Sequence, residues 1–181
     1  MGGAVCQLAW RRLAAWAVDW LIISAYAVAL VPLGLLLVDR SVRLPSLGWN
    51  AASFVVLIVP AAAWLAALES GRSGATPGKR LLGLRVRVLP EGDVGRRRAA
   101  ARNALKVAVP WELGHTAAFL LADPKASGST VLIGMASAVL ACALAGGYVV
   151  SLFLGTGRTP YDHVTATRVV RPPAVLSLIH I

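Results

Sequence analysis

Charge is scarce in this chain of 181 residues: Asp, Glu, Lys and Arg make up 14% of it, where a soluble domain carries about 25%. Acid is scarcer than base, with 8 Asp and Glu against 18 Lys and Arg, a formal net charge of +10. Cysteine occurs twice, as Cys6 near the start and Cys142 inside an apolar run, which provides neither a disulfide framework nor a thiolate metal cluster. No nucleophile stands beside a matching base and no metal-ligand cluster appears, so neither an enzyme nor a cofactor is expected. Apolar residues, 57% of the sequence, take the place of what is missing.

Four apolar stretches, residues 13–38, 51–68, 105–122 and 130–154, approach or exceed the roughly 20 residues that a helix needs to cross a hydrocarbon core of about 30 Å. The expected fold class is therefore an all-α membrane protein, a bundle of four transmembrane helices forming one domain over residues 1–173. The third stretch is the shortest in effect, because it carries Lys106, Glu112 and His115. With four spans, the N-terminal segment, the long second loop and the tail share a side bearing fifteen basic residues, against three on the other. Lys and Arg accumulate in cytoplasmic loops, so both termini and the second loop are expected in the cytoplasm of a bacterial plasma membrane. The same topology explains the positive charge without nucleic acid, and anionic lipid headgroups are the expected surface partner. No cleavable leader is expected before the first span.

Pro32, Pro60 and Pro110 fall inside spans, where kinks are expected. In the fourth span Gly134, Ala138, Cys142 and Gly146 recur every four residues, a stripe of small residues suited to close helix packing. The second loop has structure of its own: "LGLRVRVL" sets Leu84, Val86 and Val88 against Arg85 and Arg87, the alternation of a half-buried strand. "PEGD" supplies a turn, and the chain from Val94 to Lys106 reads as a basic helix, with Arg96, Arg97, Arg98, Arg102 and Lys106 expected among the headgroups, making this a basic interfacial loop. "GATPGKR" differs from a nucleotide-binding P-loop, with three residues between its glycines and Arg80 after Lys79. It is expected instead to be a tight turn at Thr76, Pro77 and Gly78, with Lys79 and Arg80 at the interface. The last six residues, "LSLIHI", can be read back into codons as a transposon end used in preparing sequencing libraries, and residues 174–181 are set aside as a tail.

Against this background a few charges stand out. Asp19 lies in the first span, seven residues after Arg12 and on the same helix face, but roughly 10 Å along the axis, too far for a direct bond by ordinary reach. A carboxylate at such depth costs about 2.5–3.5 kcal/mol at the helix centre and seeks a basic partner in the bundle interior; Arg11, Lys79, Arg102 and Lys106 are the candidates. Glu112 and His115, one turn apart, are expected to hydrogen-bond to each other, with Asp19, Glu112 and His115 forming a candidate ion or proton pathway. A second E-x-x-H pair is lacking, which argues against a carboxylate-bridged metal site.

Three pieces, "RRLAAWAVD", "TPGKRLLGLRV" and "YDHVTATRVV", together resemble the RDD family of small membrane proteins, named for one arginine and two aspartates. By motif position Arg12 corresponds to the arginine and Asp19 and Asp162 to the aspartates, while His163 and Thr165 stand where relatives are more apolar. The resemblance implies a membrane bundle; transport, including cation and proton exchange, has been proposed for some members, and membrane-protein assembly or quality control for others. Two functions follow. One is a small secondary transporter or subunit moving cations or protons, as a homo-oligomer, its weakness being the lack of inverted repeats or paired broken helices. The other is a non-transporting adaptor that binds another membrane protein through the small-residue stripe and the basic loop.

Overall fold

A helix that is apolar on every face must be covered by lipid or by other helices, and the described residues build three such helices. The computed structural model describes residues 2–90 and 92–172; the "LSLIHI" tail lies outside them. Helix α1 (Gly2–Asp39) is continuous through Pro32 and about 57 Å long at 1.5 Å per residue, more than the hydrocarbon thickness. The second crossing, Ser46–Ser70, consists of α2 (Ser46–Ser53), a π-helical turn (Phe54–Ile58) and α3 (Val59–Ser70). The last is α7 (Gly128–Phe153). The expected third span is not among the three: residues 96–121 are helical throughout, as α5 (Arg96–Asn103), a π-helical turn (Ala104–Ala108) and α6 (Val109–Leu121), but Arg and Lys fill the first turns.

Both π-helical turns end just before a proline, and the reason is local. Pro60 has no N–H for the carbonyl of Val56, four residues back; Pro110 has none for that of Leu105, its partner in π-helical spacing. Each freed carbonyl accepts a tyrosine hydroxyl from another helix: Tyr26 donates to Val56 O at 2.5 Å, and Tyr148 to Leu105 O at 2.9 Å. The two expected kinks at Pro60 and Pro110 are thus local widenings of the helix, each tied to a neighbour.

At one end of the bundle, two short segments extend the helices. After α3 come a helix α4 (Pro77–Leu81) and strand β1 (Arg85–Val88); after α7 come α8 (Pro160–Val164) and β2 (Thr167–Val170). The strand expected from alternation is β1, with Val86 and Val88 buried. It pairs antiparallel with β2, Val86 opposite Val169 and Arg87 opposite Arg168.

These two segments are copies. Ser70 and Phe153 end their helices, Gly74 and Gly157 turn with positive φ, Thr76 and Thr159 cap, Pro77 and Pro160 open, and Gly83 and Ala166 again have positive φ; each pair is separated by 83 residues. The spacing persists into the bundle, since α1 ends at Asp39 and α6 reaches its cap at Ala122. Val86 and Val169 are likewise 83 apart and face each other, so a local two-fold axis passes between them and maps the pair Arg85–Val170 onto Arg87–Arg168. The halves, each a helical hairpin followed by a short helix and a strand, run in the same direction, unlike an inverted repeat.

Candidate functional site

Asp19 is 1% exposed and accepts three contacts from the segment after α3: the Thr76 hydroxyl at 2.6 Å, the Gly78 N–H at 2.9 Å and the Lys79 ammonium at 3.9 Å. Sequence reasoning had placed Lys79 among four candidate cations, but it missed the neutral donors, which lie closer. They become available because Thr76 caps α4 and Pro77 opens it, leaving the first N–H groups of a helix free for an anion. Gly78 is required by space: a Cβ there would stand 2.0 Å from the Ala15 carbonyl oxygen.

Arg12 does not reach Asp19. Its guanidinium donates to Gly157 O at 2.6 Å and to Asp162 at 2.7 Å. Asp162 also accepts from Arg102 at 2.9 Å and from the Thr159 N–H at 3.1 Å. Burial pushes the Asp162 carboxyl up, but Arg102, Arg12 and these hydrogen bonds outweigh it and hold the group below its ordinary value.

The centre of the network is Glu69, which the sequence did not single out. It is fully buried and accepts from Lys79 at 2.8 Å, Arg102 at 3.2 Å and Asn103 at 3.0 Å. This corrects three expectations. Lys79 and Arg102, placed by sequence among the headgroups, are buried at 5% and 1% exposure because Glu69 binds both. Lys106 is partly buried and turned inward. Arg96, Arg97 and Arg98 are exposed, as is Arg80, which bonds Ala75 O and Ser73.

The 83-residue repeat orders these charges. Asp19 and Arg102 occupy equivalent positions on α1 and α5, and Lys79 and Asp162 equivalent positions on α4 and α8. Each half therefore contains a pair between helix and turn, Asp19–Lys79 in the first and Arg102–Asp162 in the second, with the signs exchanged. The exchange makes Lys79 and Arg102 both cations, so one carboxylate joins the halves.

Glu112 and His115 form a separate cluster farther along the bundle, and the expected bond between them is replaced by bonds to α2. Glu112 Oε1 accepts from Asn50 at 2.8 Å, while Thr116 is near both. His115 Nε2 accepts the Trp111 indole N–H at 3.0 Å. Indole can only donate, so the imidazole proton is assigned to Nδ1, which faces the Ser53 hydroxyl at 3.2 Å. Two buried oxygens here, Asn50 Oδ1 and Glu112 Oε2, have no donor among the described residues. No group of three or more His, Cys, Asp and Glu is placed to hold a metal ion among those residues.

A family model for RDD matches residues 7–162. No curated protein and no solved structure matches the chain.

Proposed function

The chain belongs to the RDD family, and from that starting point we propose that it is a secondary transporter, or a subunit of one, that takes up a proton or a monovalent cation at Glu112 and Asn50. The observation that carries this reading is the pair of buried oxygens without donors, Glu112 Oε2 and Asn50 Oδ1. A carboxylate in a low-dielectric interior is costly without a proton or a cation, and here the Asn50 amide and the Thr116 hydroxyl lie against its other oxygen. Asp19 leaves the pathway, since Thr76, Gly78 and Lys79 already satisfy it. His115 serves as a neutral second partner, because protonating Nε2 would break its bond to Trp111.

The same reading takes residues 96–121 as a fourth crossing. Their start meets Glu69 at the end of α3, and Asp123 just beyond their end bonds Ser46 at the start of α2 at 3.1 Å, which supports a helix running the length of its neighbour. Four crossings keep both termini on one side, the cytoplasm of a bacterial plasma membrane by the distribution of basic residues. No bond-making step is part of this function. Of the small-residue stripe behind the adaptor reading, Gly134 packs on Leu121, while Cys142 and Gly146 are exposed and line a cleft.

The test is proton movement into proteoliposomes under an imposed sodium or potassium gradient. Wild type is expected to move protons and folded Glu112→Gln to lose the flux. Equal flux in the two proteins, or none from well-folded wild type, overturns the proposal.

A further inference from the structure

Between α1, residues 102–115 and α7 the helices part to leave a cleft of about 740 Å³, within the roughly 300–1,000 Å³ of cavities that enclose whole small ligands. Its walls are mainly apolar, and Trp16 at its edge is 40% exposed. Space of this kind inside a bilayer is filled, because bare walls forfeit their dispersion contacts.

The charges on the cleft are of one sign. Arg12, Lys79, Arg102 and Lys106 line it, and among the described residues no carboxylate does. Three of the four are neutralised from behind: Arg12 by Asp162, Lys79 by Glu69 and Asp19, Arg102 by Glu69 and Asp162. Lys106, one turn farther in than Arg102, has neither an ion pair nor a hydrogen bond among the described residues. The network thus sets four basic side chains against three carboxylates, and the surplus one, Lys106, faces an apolar cleft.

We infer that this cleft holds one anionic phospholipid, its phosphate on the Lys106 ammonium and an acyl chain along Trp16, Trp20, Ala145 and Val149. Apolar walls alone would take any lipid tail; the unmatched ammonium selects an anionic head. A phosphate there would hold the partly buried Lys106 side chain in its charged form, and charge-assisted hydrogen bonds to phosphate are among the stronger ones.

The experiment offers purified full-length protein equimolar phosphatidylglycerol and phosphatidylcholine in detergent and reads bound lipid by native mass spectrometry. One phosphatidylglycerol per chain is expected, favoured over phosphatidylcholine by roughly tenfold or more. Lys106→Gln removes the preference, Ala145→Leu narrows the apolar part and lowers retention with Lys106 intact, and Arg97→Gln, at an exposed position on the same helix, leaves retention as in wild type. Equal retention of the two lipids by wild type overturns the inference. So does wild-type phosphatidylglycerol retention in either folded Lys106→Gln or folded Ala145→Leu.

Discussion

Removing the Glu69 carboxylate leaves Lys79 and Arg102 as neighbouring buried cations with nothing between them. Breaking a buried ion pair from one side costs about 3–5 kcal/mol, since the remaining charge is uncompensated. Glu69→Gln is therefore expected to lower the unfolding midpoint more than Asp39→Asn, at the far end of α1, and a denaturant titration in detergent checks it. Asp162 contributes to the acid sensitivity. Its carboxyl is held below the ordinary value of 3.8, so its contribution is fully present above that value and is lost as pH falls below it through the lower folded value. Acid unfolding is expected to begin below about pH 4, and Asp162→Asn should lower stability at neutral pH while flattening that acid limb. Of these charges, Arg12, Asp19 and Asp162 were legible in the sequence because polar residues in or beside apolar runs, and a family motif, mark them. Glu69 was not: at the end of a span, followed by "SGR", it has the look of a solvated carboxylate. Lys79 and Arg102 were legible as candidate partners for Asp19 but not as partners of Glu69, because basic residues beside a span already have an explanation in topology.

At the scale of the elements, the two π-helical turns are where sequence and structure part most clearly. Proline predicted a disturbance at residues 60 and 110 but not its form, because the widened turn depends on a hydroxyl arriving from a different helix. Hydrogen bonds of this kind inside membrane proteins contribute about 0.6 kcal/mol on average, up to about 1.7. Tyr26→Phe and Tyr148→Phe are each expected to cost about 1 kcal/mol, with loss of protection at the turn they cap, measured by hydrogen exchange. Strand β1 was legible from its alternation, but its partner was not: Thr167 and Val169 face inward with Thr in place of a second aliphatic residue, which dilutes the pattern. Helix α4 was legible only as a turn, because five residues are too few for periodicity to register.

Over the whole molecule, a mostly helical membrane protein was legible from apolar run lengths, whereas the β1–β2 sheet that departs from the all-α expectation and the repeat it joins were not, since the halves keep chiefly the glycine, threonine, proline and arginine–valine positions that geometry requires. The pairing that joins them can be tested directly. Opposed residues of an antiparallel pair lie about 4.5–5.5 Å apart between Cα atoms, within the span of a disulfide. Cysteines placed at Val86 and Val169, on a Cys6→Ser, Cys142→Ser background, are expected to cross-link under mild oxidation; cysteines at Val86 and Arg168 should not. In intact cells, Arg171→Cys on the same background should resist a membrane-impermeant thiol reagent, and labelling from outside would remove the shared cytoplasmic side from the topology.

The exchanged signs also decide what the halves can become. If a second copy of the first half took the place of the second, Glu69 would meet Asp19 where Arg102 now stands, and Arg12 would meet Lys79 where Asp162 stands. Like charges would then face each other in sites closed to water. Neither duplicate can stand in for the other, so whatever symmetry their common backbone retains, inheritance must keep both as a matched couple.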